Sequence, residues 1–338
     1  ILLSNQLADM LGFGSDLKDT LLRAARLCKN DLASEMVREY PQLHGIMGAI
    51  YARHFGESEE VCNAIAWYKY PVSPGDPLPE NNCAVVLGIL DRLDFICGFI
   101  AAGADVSGSE DPYGLKRATS GLFSLVLKLE RELDYACVVK NVLQTYGMPE
   151  KDFLASEKTL REFLTQRFEA YLDAEGFPKG LRASVISVEN LNFVRIRKKL
   201  ESLRDFIKNT KDADVVLIPV IRITNILKQA SEKGIVIPEF NTNLLMVNAE
   251  IALAELYAKF SKISEEALEK GNYSVFLTIV SELKKPVDEF FNNVLVMCPE
   301  EKLRDNRLAL LKKFNDIFSK FADFSFIREE DLKNVGKD

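Results

Sequence analysis

Histidine is nearly missing from this chain: His44 and His54 are the only two among 338 residues. Neither stands beside a Ser or Cys, so no nucleophile–base pair is written into the sequence, and no catalytic residue is expected. The six cysteines (Cys28, Cys62, Cys83, Cys97, Cys137 and Cys298) never form a Cys-x-x-Cys pair. That spacing excludes a zinc site of thiolates and imidazoles, and no metal is expected. Most of the thiols sit in apolar, helix-like surroundings such as Phe95-Ile96-Cys97. This is the setting of free buried cysteines in a reducing compartment, so a cytoplasmic protein is expected. No apolar run approaches the roughly 20 residues that cross a bilayer, which argues against a membrane partner. A Gly-rich phosphate loop with its Lys is also missing, and Gly12-Phe-Gly14 reads as a turn. Positive charge is in deficit: the net charge is −7, against a generic polyanion binder. The chain lacks an initiator Met and opens on Ile1-Leu2-Leu3, as a fragment or processed chain does.

What is present is helical pattern. With 47% hydrophobic and 28% charged residues the chain can bury sizeable cores. Apolar residues recur at three and four along Ala84–Ala102, Leu122–Tyr146, Leu160–Leu172, Val194–Ile207, Leu244–Phe260, Tyr273–Val296 and Leu303–Phe321. Val215-Val216-Leu217-Ile218 is the one serious β-like run, and it leads into a helical stripe, so it too reads as helix. The expected class is all-α. Pro71-Val-Ser-Pro-Gly-Asp-Pro-Leu-Pro79 must be a loop. Gly147-Met-Pro149 marks a domain edge, and Glu175–Gly180 marks a second break. Pro219 should kink or begin a helix just before Arg222.

Charge is uneven. Between Leu181 and Ala230 ten cations face five anions in an otherwise acidic chain, a pattern shared with ordinary solvated helix faces. Asp91 and Asp94 are spaced for one helix face, with Arg92 between them, and local ion pairs suit them better than a metal. The most informative segment is Ser107-Gly-Ser-Glu-Asp-Pro-Tyr-Gly-Leu-Lys-Arg-Ala-Thr119. Asp111 suits an N-cap and Pro112 the first helical position, with Lys116 and Arg117 just behind. A capped helix start presents N–H groups and a positive dipole end to an anion.

That segment resembles the SKDPxxLRR-type signature of the β subunit of bacterial two-subunit glycyl-tRNA synthetases. The resemblance covers roughly residues 5–327. It runs through Ala24–Leu32, Met36–Gly48, Tyr51–Glu57, Pro74–Pro79 and Leu90–Asp94 in an HD-like domain. Gly180-Leu-Arg182 with Val185-Ile186 is similar to the segment that follows in the family. Val220-Ile-Arg222-Ile-Thr-Asn225-Ile-Leu227 resembles the KRxxNIL of DALR-type anticodon-binding bundles, with Ile221 in place of the Lys. Phe290–Met297 and Arg304–Leu311 complete that signature.

The resemblance implies an HD-like helical domain over 1–148, a helical linker over 149–208 and an anticodon-binding bundle over 209–338. HD phosphohydrolases need an adjacent His-Asp, which this chain lacks: His44 precedes Gly45 and His54 precedes Phe55. Asp91 or Asp94 alone cannot hold a hydrolytic metal. The implied function is recognition and positioning of tRNA-Gly for a separate catalytic α subunit in an α2β2 assembly. ATP and Mg would be used by that partner, and this chain would need no cofactor. Arg222, Asn225, Lys228, Arg304 and Arg307 are expected at the anticodon end. Lys29, Lys116 and Arg117 are expected at the acceptor side. Arg222 and Asn225, three apart, can address one unstacked base, as can Arg304 and Arg307. Equally, Arg222, Asn225 and Arg307 can hold helices together through carbonyl contacts. The alternatives are a metal-dependent phosphohydrolase and a structural scaffold for the α subunit.

Overall fold

The computed structural model describes residues 1–106, 111–210 and 213–335. Ser107–Glu110 of the signature, Lys211 and Asp212 of the cation-rich stretch, and Lys337 and Asp338 of the tail lie outside the described residues. Among the described residues every regular element is helical and no strand is present, so the chain is all-α. It divides into two compact units. Unit 1 is Ile1–Tyr171 with Asn190–Arg195, and unit 2 is Leu172–Glu189 with Ile196–Asp338. The division falls inside the stretch read from the sequence as a linker.

Unit 1 carries α1 (Leu2–Met10), α2 (Ser15–Leu27), α3 (Glu35–Glu39), α4 (Ile46–His54), α5 (Glu59–Trp67), α6 (Asn82–Ala101), α7 (Leu115–Leu129), α8 (Tyr135–Gln144) and most of α9 (Glu150–Ala174). Its axis is α6. Asn81 caps that helix by accepting from the N–H groups of Cys83 and Ala84. Thirteen of its twenty residues are buried, so it is apolar on nearly every face and lies sheathed by α1, α2, α5, α7 and α8. Two glycines set how closely its neighbours come. A Cβ on Gly88 would meet the Tyr68 carbonyl at 2.6 Å, and one on Gly121 of α7 would meet Arg92 Nε at 2.8 Å. Only bare backbone leaves room there. A second core joins Phe123, Tyr135, Phe168 and Phe193, whose rings lie 4.8 to 5.2 Å apart.

Unit 2 holds α10 (Lys179–Ile186), most of α11 (Phe193–Asn209), α12 (Ala213–Glu232), α13 (Asn248–Glu269), α14 (Tyr273–Ser281), α15 (Lys284–Asn293), α16 (Glu301–Phe318) and α17 (Glu329–Asn334). Phe260, Phe276, Phe314, Phe318, Phe321 and Phe324 form its aromatic core. Lys199 is buried there because its ammonium meets Glu189 at 2.6 Å and the Lys320 carbonyl at 2.7 Å.

The structure corrects two sequence expectations. The stripe Leu122–Tyr146 is two helices, because Glu130 turns into the left-handed region (φ 53°) and Asp134 caps a new start. Tyr273–Val296 is likewise two, α14 and α15. Of the two roles expected of Pro219, beginning a helix is not the one it takes, since it sits inside α12. The run ending in Ile218 is helical, as expected.

Candidate nucleic-acid interface

The signature segment builds its helix start differently from the expected frame. Asp111–Gly114 forms a turn closed by the Gly114 N–H on the Asp111 carbonyl (3.0 Å). Gly114 has φ 74°, which favours glycine, and α7 begins one residue later. Pro112 therefore lies in the turn and not at the first helical position. The Asp111 carboxylate still caps, reaching the N–H groups of Lys116 at 3.1 Å and Arg117 at 3.3 Å. The donors expected to await an external anion thus already hold one.

Beside this turn α6 presents its charged groups. Asp91 bonds the Lys29 ammonium at 2.8 Å, and Lys69 lies 3.9 Å from its other oxygen. Burial works against the Lys29 charge, but the hydrogen bond and charge of Asp91 outweigh it, and the ammonium pKa stands above the ordinary lysine value. Arg92 does not form the local ion pairs expected of it. It turns into the interior, 8% exposed, and donates to the carbonyls of Tyr68, Gly88, Lys69 and Pro71 at 2.7 to 3.1 Å. Burial pulls its pKa below the ordinary arginine value. Asp94 points elsewhere, accepting from the Tyr146 hydroxyl at 2.9 Å. Around Lys69, Asp91, Arg92, Phe95, Tyr113 and Arg117 lies a cavity of about 420 Å³.

His44 is a packing residue. Its Nδ1 bonds the fully buried Asp31 carboxylate at 2.8 Å, and its Nε2 shares a hydrogen bond with the Tyr68 hydroxyl at 2.8 Å. The other Asp31 oxygen accepts from the N–H groups of Gly45 and Gly48. His54 stacks edge-on against Phe55. No three His, Cys, Asp or Glu side chains gather as metal ligands among the described residues. Asp91 faces an ammonium and the nearer imidazole is committed, so these residues do not fit the metal of a phosphohydrolase.

In unit 2 the cations expected at the anticodon end part into two groups. On α12, Arg222 lies exposed with its guanidinium 4.0 Å from the Phe291 ring centre. Asn225 follows three residues later, half-buried, and the exposed Lys228 lies 5.9 Å from the Phe326 ring centre. On α16 the two arginines are engaged within the chain. Arg304 bonds Asp305 at 2.8 Å. Arg307 bonds Glu250 at 2.6 Å and the Leu295 carbonyl at 3.0 Å. The carbonyl contact is the helix-holding alternative weighed for Arg307. Burial opposes the Glu250 charge, but the N–H groups of Met246 and Val247 and the Arg307 guanidinium prevail, and its pKa falls below the ordinary carboxylate value.

Sequence reasoning missed Lys69 and the ring of Tyr113. The signal was there: Tyr68-Lys69-Tyr70 sets a cation among aromatics just before the proline-rich loop, and Tyr113 lies inside the signature.

The chain is helical and sets the exposed cations Arg222 and Lys228 near aromatic rings. Comparison with known proteins identifies the family. Residues 2–187 match the family described as glycyl-tRNA synthetase beta subunit, and residues 216–324 match the DALR anticodon binding domain. The first match covers more than half of the chain, which therefore belongs to the glycyl-tRNA synthetase β-subunit family. Relatives named glycine–tRNA ligase beta subunit include those of Persephonella marina (33% identical over 325 residues, covering 92% of this chain and 45% of the relative) and Citrifermentans bemidjiense (35% over 304 residues, 90% and 43%). That of Dictyoglomus turgidum is 34% identical over 328 residues, 96% of this chain and 46% of the relative. The chain thus spans less than half the length of these relatives. No helix among the described residues is long and apolar enough to cross a membrane.

Proposed function

We propose that this chain is the tRNA-holding part of a glycyl-tRNA synthetase β subunit. It binds tRNA-Gly and positions it for aminoacylation by a catalytic α subunit in the cytoplasm, within an α2β2 assembly. ATP and Mg are used by that partner, and this chain contributes no catalytic group or cofactor. Its contribution is orientation: a tRNA held in place presents its acceptor end at the partner's active site without the entropic cost of a free encounter.

The observation that carries the reading is Arg222. It sits in the matched anticodon-binding domain, exposed on α12 with its guanidinium over the Phe291 ring, and Asn225 and Lys228 follow at intervals of three. An exposed guanidinium anchored over a ring can stack on an unpaired base, and a neighbouring amide can read that base's edge. Arg307, tied to Glu250, and Arg304, three residues before it on α16, are assigned to the same anticodon end. Lys29, Lys116 and Arg117 in unit 1 are assigned to the acceptor side.

The test is binding of a glycine tRNA transcript, and of a non-glycine tRNA, across a salt series. We expect affinity to fall steeply with salt, to favour the glycine tRNA, and to drop about tenfold in Arg222→Ala. Equal affinity for both tRNAs in the unaltered chain would sink the recognition reading and leave a scaffold for the α subunit. Stoichiometric metal with phosphate release from nucleotides would favour the hydrolase instead.

A further inference from the structure

The cavity between α6 and the start of α7 has a chemistry that Lys29 and Lys116 do not explain. At about 420 Å³ it falls within the size of small-ligand clefts and has room for one nucleotide. One wall is aromatic: Phe95 and Tyr113 line it, joined through Phe99 with ring centres 4.8 Å apart on each side. Tyr113 is 54% exposed, so much of its ring surface is open. Cations line the rest. Lys69 is half-exposed and Arg117 exposed, while Arg92 adds a buried positive charge seated on carbonyls. Of the two carboxylates in the wall, Asp91 is paired with Lys29, and Asp111, bonded to the first N–H groups of α7, keeps a charge that Lys69, Arg92 and Arg117 outnumber.

An open ring beside cations is how proteins hold nucleotides that are not base-paired: the base stacks, and the phosphate meets the charge. A paired base inside a duplex has no free face to offer. We infer that this cavity receives one unpaired nucleotide of RNA, with its base on Tyr113 and Phe95 and its phosphate on Lys69 and Arg117. The inference rests on the tRNA reading above and gives unit 1 a single-strand contact in addition to its charge.

The experiment compares the unaltered chain with Tyr113→Ala, Tyr113→Phe and Lys69→Ala. Each is titrated with a glycine tRNA transcript over a salt series, and ultraviolet crosslinks are mapped by mass spectrometry. Tyr113→Ala should weaken binding about tenfold with unchanged circular dichroism, and Tyr113→Phe should bind as the unaltered chain does. Lys69→Ala should reduce the slope of log affinity against log salt by about one. Crosslinks should fall on the peptide that carries Tyr113. If the unaltered chain binds tRNA in a salt-dependent way while Tyr113→Ala stays within twofold of it, the cavity is not a nucleotide site and the tRNA reading stands. If the unaltered chain binds no tRNA, both fall together.

Discussion

Two arginines, the buried Arg92 of unit 1 and the part-buried Arg307 of unit 2, are held in opposite ways. Arg92 in unit 1 spreads its guanidinium over four backbone carbonyls, while its chain neighbour Asp91 is bonded to Lys29. Arg307 in unit 2 meets the carboxylate of Glu250, which is itself buried. Carbonyl dipoles satisfy the donors without cancelling the charge; a carboxylate cancels it. Unit 1 therefore keeps a net positive charge in the wall of its cavity, and unit 2 gains a neutral strut between α13 and α16. An arginine can thus supply a field or supply rigidity, and its acceptors decide which.

The comparison breaks most sharply at Arg92. Arg92→Ala would strand the carbonyls of Tyr68, Lys69 and Pro71 and leave a void between α6 and α7. We expect a loss on the order of 4 kcal/mol in denaturant unfolding followed by circular dichroism. A loss below about 1 kcal/mol would show that water replaces the guanidinium cheaply.

Glu250→Gln should cost about 2 kcal/mol at pH 7, because it leaves the part-buried Arg307 charge beside a neutral partner. This loss should depend on pH where that of Arg92→Ala does not. The folded-state pKa of Glu250 is lowered, so its contribution is complete above the unfolded value near 4.5 and is lost as pH falls through the lower folded value. Melting temperatures of the two proteins should therefore converge as pH falls below about 4.5. A gap that stays constant would mean that the pair is not the source of the stability.

The smallest effect is expected at Arg53, an exposed arginine paired with the exposed Glu59 at 2.6 Å. Arg53→Ala should leave the melting temperature unchanged, since solvent screens both charges before and after. A clear drop would show that exposed pairs matter here as much as buried ones.

The helices were legible because burial on one face imposes a three-and-four repeat, which α2, α11 and α16 keep. The break at Glu130 was not, since a glutamate in the left-handed region carries no residue signal of the kind glycine gives. At the site, the capping chemistry of Asp111 was readable, but its frame was set by Gly114 and moved the helix start past Pro112. The role of Arg92 was hidden for a deeper reason. Its acceptors are backbone carbonyls, which every residue has, so no side-chain pattern could announce them. The pairing of Arg307 with Glu250 spans 57 positions and needed the fold to bring the two together.

Asp111 has a further consequence for any anion that approaches α7. Its carboxylate is tethered four residues before the helix, so its effective concentration at those N–H groups is fixed by the chain and stays high however dilute the protein. A phosphate in solution would have to displace this intramolecular competitor, and ordinary ligand concentrations give it little chance. The end of α7 is therefore closed to diffusing anions. On the reading proposed above, a nucleic-acid strand would be held there by side chains, Tyr113 of the turn and Arg117 of the first turn of α7, and not by the backbone that the turn protects.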